Sequence, residues 1–116
     1  MTDRASAVIA LTDRLGRAMT RPGATADEVA SVPDVGVGEV EVTARWGTDE
    51  PDHAEIVLAA GLALAEQEEL LGPARAVPRA PHGPPGVVFD AADGWTVLAT
   101  LDRGGEVRSV MVRRDG

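Results

Sequence analysis

The chain contains no cysteine, so a disulfide framework, thiolate catalysis and a zinc ribbon drop out together. Lysine, asparagine and tyrosine are absent as well, and all eleven basic residues are arginine. The missing residues have AT-rich codons, which points to a GC-rich, bacterial coding sequence and says nothing of mechanism. Aromatic side chains are limited to Trp46, Phe89 and Trp95. A core must therefore come from Val, Leu, Ala and a little Ile and Met. Long apolar stretches are lacking too: the longest, residues 56–65, has ten residues, about half of the ~20 needed to cross a bilayer. The N-terminal segment is interrupted by Asp13, Arg14 and Arg17 and so does not read as a secretory leader. No membrane partner is expected, and the cytoplasm is the expected location. The 116 residues predict a single domain, 1–116.

What is present is segregated charge. Between Thr25 and Glu69 there are twelve carboxylates and one cation, Arg45, a net −11 over 45 residues. Residues 1–24 carry +2 and residues 70–116 carry +1, which recovers the total of −8. A one-signed block makes a directional field that repels nucleic acid and anionic lipid and speaks to partners and solubility rather than to fold.

Several elements can be read from periodicity. Residues 3–20 are predicted to form an amphipathic helix, with Val8, Leu11, Leu15 and Met19 recurring at three- and four-residue spacing until Pro22-Gly23 stops it. Thr25 can cap one further turn before Pro33. Over 39–46 the alternation is strict: Val40, Val42, Ala44 and Trp46 on one side, Glu39, Glu41, Thr43 and Arg45 on the other, as a half-buried strand requires. Asp49, Pro51 and Asp52 resemble a helix start and Gly72-Pro73 a helix stop, which predicts a second helix over about 50–71 ending in the acidic run Glu66-Gln67-Glu68-Glu69.

The segment 72–86 holds five prolines and three glycines and reads as an extended connection with neither helix nor strand. Beyond it, 87–90, 95–101 and 107–113 predict an antiparallel meander with turns at Asp93-Gly94 and at 102–105, its last strand at a sheet edge. The expected fold is α+β in the order α-β-α-β-β-β, an antiparallel sheet of about four strands with two helices packed on it.

Chemistry-bearing clusters are sparse. The run Asp49-Glu50-Pro51-Asp52-His53-Ala54-Glu55 is the nearest thing to a metal or acid–base group, but capping explains the spacing of Asp49, Asp52 and His53, and the other histidine, His82, lies in the proline-rich connection. No metal or cofactor is expected. Ser6, Ser31 and Ser109 lack a nucleophile-elbow context. Gly36-Val37-Gly38 precedes a strand rather than joining strand to helix, so it does not suit a phosphate. Pro78-Arg79-Ala80-Pro81 matches a PxxP pattern and reads as a connector. Arg103, Arg108, Arg113 and Arg114 are offset by Asp102, Glu106 and Asp115, which excludes a basic nucleic-acid stripe.

The expected function is a non-enzymatic, acidic protein-interaction module of accessory or immunity type. Glu39, Glu41, Glu66, Glu68 and Glu69 would face a basic partner surface. One rival is a small enzyme or ligand-binding domain with His53, Trp46 and Trp95 lining a pocket between sheet and helices. A structural homodimer, formed by self-association, is the other.

Overall fold

The computed structural model describes residues 4–32, 36–72, 74–77, 86–92 and 94–114. The elements run α1 (Arg4–Thr20), α2 (Ala26–Ala30), β1 (Gly38–Ala44), β2 (Pro51–Ala63), α3 (Leu64–Leu71), β3 (Arg75–Val77), β4 (Gly86–Ala92), β5 (Trp95–Leu101) and β6 (Glu106–Arg114). The six strands form one antiparallel sheet in the order β1-β2-β6-β5-β4-β3. The α+β class and the antiparallel sheet are as expected, although the sheet is wider than four strands.

α1 forms where its apolar spacing predicts. Val8, Leu11, Leu15 and Met19 are all buried, and Asp13 bridges to Arg17 at 2.8 Å on the solvent side. Inside the buried face, Thr12 satisfies its hydroxyl by donating to the Val8 carbonyl at 2.6 Å. Thr25 caps α2 as expected, its hydroxyl accepting from the Glu28 N–H at 3.2 Å.

The expected helix over about 50–71 is corrected: the thirteen residues Pro51–Ala63 are β2, and α3 is only the last eight. The apolar run has no 3.6-residue stripe to bury, whereas Ala54, Ile56 and Leu58 alternate as a strand requires and all three are buried. As a strand the segment hydrogen-bonds to β1 on one side and β6 on the other. Pro51, taken from sequence as a first-turn residue, instead opens the strand, where a missing N–H is also tolerated. The pairing with β6 is irregular between Val57 and Leu62. There the Arg4 guanidinium of α1 donates to the carbonyls of Ala60, at 2.8 Å, and Gly61.

Two further corrections concern the C-terminal half. β3 is a short strand inside the connection expected to have none, pairing with the start of β4, while residues 78–85, including the PxxP segment and His82, lie outside the described residues. β6 is not at an edge; it is the third strand, between β2 and β5. The sheet edges are β1 and β3.

One face of the sheet carries the core. Ala54, Ile56 and Leu58 of β2, Val110 and Val112 of β6, and Trp95, Val97 and Ala99 of β5 pack under α1, joined in the core by Val87 and Phe89 of β4 and Val29 of α2. The fold measures 40 × 38 × 23 Å. The short dimension accommodates one sheet and one helix layer, given ~10–12 Å for a helix with its side chains. No described helix covers the opposite face. No helix among the described residues is long and apolar enough to cross a membrane.

Candidate functional site

The face that no described helix covers is defined by strand parity. On β1, Val40 and Val42 turn toward the core, which places Glu39, Glu41 and Thr43 on the open side, all three exposed. Directly across on β2 stand Val57, Glu55 and His53. β6 continues the rows with Ser109, Met111 and Arg113, and β5 with Thr100, Leu98 and Thr96. One corner of this face is therefore carboxylate-rich: Glu41 is paired with Glu55, and Glu39 sits two residues along β1. Cross-strand Cβ atoms at such positions lie ~4.5–5.5 Å apart, so Glu41 and Glu55 repel each other directly. None of the three carboxylates has an ion-pair partner among the described residues. Toward the middle the face becomes less polar at Met111, Leu98 and Val57, the last 40% exposed.

Sequence reasoning did not place Glu55 beside Glu39 and Glu41, because its segment read as helix. Its parity against buried Ala54 and Ile56 was the available signal.

The five carboxylates singled out from sequence do not form one surface. Glu39 and Glu41 belong to the open sheet face, whereas Glu66, Glu68 and Glu69 belong to α3, which packs on α1 and β2. Glu66 and Glu69 are exposed, and Glu68 turns back to accept from the Ala74 N–H at 3.0 Å. Because α3 begins at Leu64, Glu66 lies in its first turn, where the macrodipole favours a negative charge instead of opposing it.

The three residues of the alternative pocket are likewise separated. Trp95 is 4% exposed in the core beneath Gly16 of α1, His53 lies on the open face, and Trp46 is 98% exposed. Trp46 does not continue the buried side of β1, because the ladder slips between Thr43 and Ala44 and the chain then turns through Gly47, which has φ of 77°. That β1–β2 turn is firmly held. The Arg45 N–H bonds the Glu50 carbonyl at 2.8 Å, the Thr48 N–H bonds the Arg45 carbonyl at 3.0 Å, and the Ala26 N–H of α2 bonds the Asp49 carbonyl at 2.7 Å.

Charges around this turn are mostly paired. Glu50 accepts from Arg114 at 2.9 Å and lies 3.8 Å from Arg45. Asp52 meets His53 Nδ1 at 2.9 Å. That hydrogen bond holds the Asp52 carboxyl below its ordinary value of 3.8; a slight loss of hydration opposes it, and the fields of His53, Arg113 and Arg45 reinforce it.

Among the described residues, two clefts that indent the surface both lie away from Trp46, His53 and Trp95. One, of about 370 Å³, lies beside Arg4, Leu62, Glu66 and Glu106; the other, of about 350 Å³, lies beside Arg21, Asp49, Glu50 and Arg114. Both are open and lined by charges of both signs, unlike the enclosed, mostly apolar sites that hold small organic ligands. Among the described residues no group of three or more His, Asp or Glu is placed to hold a metal ion. Comparison with protein-family models, with curated proteins and with solved structures finds no match for this chain.

Proposed function

We propose that this chain is a non-enzymatic protein-interaction module, an accessory or immunity-type subunit of the bacterial cytoplasm, that docks on a basic surface of a partner protein. The observation that carries the reading is the convergence of Glu39, Glu41 and Glu55 on a sheet corner with neither a covering helix nor a counter-ion among the described residues. Holding like charges that close costs the isolated protein stability, and a cationic partner turns that cost into attraction. The focused negative field also raises the encounter rate with a basic protein and discriminates against anionic ones. Glu66 and Glu69 extend the field on the helix side and contribute to steering rather than to contact.

The test is affinity capture from the native host with three baits: wild type, the triple variant E39K/E41K/E55K, and the helix variant E66K/E69K. The reading expects a basic protein retained by wild type and by the helix variant, released by raised salt, and lost with the triple variant. Equal retention by all three baits would refute it.

A further inference from the structure

The outer edge of β1 indicates how that partner binds. β1 is the terminal strand, hydrogen-bonded to β2 on one side only. Alternate residues of such a strand direct their N–H and C=O groups outward. Among the described residues, 38–44 make no backbone hydrogen bond outside the β1–β2 ladder. The opposite edge, β3, has three residues against seven in β1.

Edge strands are usually blunted by proline, lysine, a central bulge or shortness. β1 has no proline or lysine, and its register slips only at the last step, between Thr43 and Ala44. α2 packs against β1 without a backbone hydrogen bond to residues 38–44, and the strand's charged guard is the pair Glu39 and Glu41, both exposed on the same face. That guard is selective. A second copy pairing antiparallel about Val40 would set Glu39 against the other Glu41, carboxylate facing carboxylate, whereas a strand with cations at alternate positions would neutralise both.

Trp46 supplies an independent observation. It lies two residues beyond the end of β1, 98% exposed, on a turn fixed by the backbone bonds described above rather than by packing of the indole. A rigidly mounted, unburied indole at the end of an open strand edge offers a contact for an apolar or cationic side chain.

We infer that the edge of β1 accepts an extended, arginine- or lysine-bearing segment of the partner as a seventh strand, with Trp46 packing on the segment's end. This rests on the acidic-docking reading and specifies the partner's conformation and charge pattern.

The experiment uses three blocked seven-residue peptides: one alternating threonine and arginine, the same peptide N-methylated at alternate amides, and an analogue with glutamate for arginine. Each is titrated at low salt against the intact protein, followed by amide chemical shifts along β1 and by indole emission. The inference expects the arginine peptide to bind at least tenfold more tightly than its N-methylated form, with shifts concentrated at 38–44. E39K/E41K should reverse the preference toward the glutamate peptide. W46A, which removes no packed side chain, should weaken binding several-fold without changing the far-UV spectrum.

Equal binding of the methylated and unmethylated arginine peptides would overturn strand addition while leaving the acidic docking surface standing. Absence of binding by either basic peptide would remove both. A concentration-dependent dimer that excludes the peptide would assign the edge to a second copy and also overturn the inference.

Discussion

Gly16 lies in the interior of α1, where glycine is ~1 kcal/mol worse than alanine in an exposed helix. On propensity alone Gly16→Ala should stabilise the protein. The structure reverses the sign. A Cβ at position 16 would sit 2.8 Å from Trp95 Nε1 and closer still to Cδ2 and Cε2 of the same ring. The indole is 4% exposed, among core side chains that include Val97 and Met19, so it cannot swing into solvent to make room. Either the ring leaves its rotamer or α1 rises from β5, and overpacking of this kind costs ~1–3 kcal/mol. Because the clash is with a rigid ring rather than a flexible chain end, the upper part of that range applies. After the propensity gain of about 1 kcal/mol the net loss is ~1–2 kcal/mol, a fall of roughly 4–10 °C in Tm for a domain of this size. Urea unfolding followed by far-UV circular dichroism and indole emission measures it, with Trp95→Phe as second background. The cost of Gly16→Ala should shrink when the larger ring is gone. A stabilised Gly16→Ala protein, or one whose loss is the same in both backgrounds, would refute the close approach of α1 to Trp95.

Three further outcomes are expected. Ile56→Ala should cost ~2–4 kcal/mol while Val57→Ala costs under ~1, because adjacent strand residues face core and open side respectively; similar losses would restore the helix reading of this segment. Gln67 of α3 is 1% exposed and its Nε2 has no hydrogen-bond partner among the described residues, so Gln67→Met should be neutral or stabilising by up to ~2 kcal/mol in denaturant titration, and a clear loss would show that the amide is satisfied. The Asp52 carboxyl is held below 3.8 in the folded protein, so its stabilising contribution is present above that value and is lost as pH falls through the lower, folded-state value. Asp52→Asn should therefore flatten the acid limb of the Tm-against-pH curve below about pH 4, and an identical acid limb would contradict the Asp52–His53 bond.

Much of the fold was legible because local rules agreed. α1 has a clean apolar stripe, α2 has a threonine cap, β1 alternates, and a glycine at positive φ precedes each of the last two strands, Gly94 at 102° and Gly105 at 82°. β2 was not legible for a physical reason. Its apolar residues fill both strand faces from 56 to 60, and the same Asp49-Pro51-Asp52 chemistry suits a helix start and a turn leading into a strand. Only flanking by β1 and β6 decides between them, and the β6 contacts come from about fifty residues away in sequence. The central position of β6 was hidden for the same reason, since sequence adjacency predicts hairpin neighbours and not strand order. Within the site, Glu39 and Glu41 followed from alternation. Glu55 was lost with β2, and Trp46 was placed on the buried side because the alternation was extended past the slip at Thr43 and Ala44.

The most direct test of the central claim is photo-crosslinking in the native host, with a benzophenone side chain introduced at Thr43, exposed on the β1 open side beside Glu41, and in a separate protein at Arg14, exposed on α1. The account predicts that the Thr43 probe captures one basic protein, through a lysine- or arginine-rich extended segment, and that the Arg14 probe does not. Capture of the same protein at Arg14 alone, or of an acidic protein at Thr43, would contradict it.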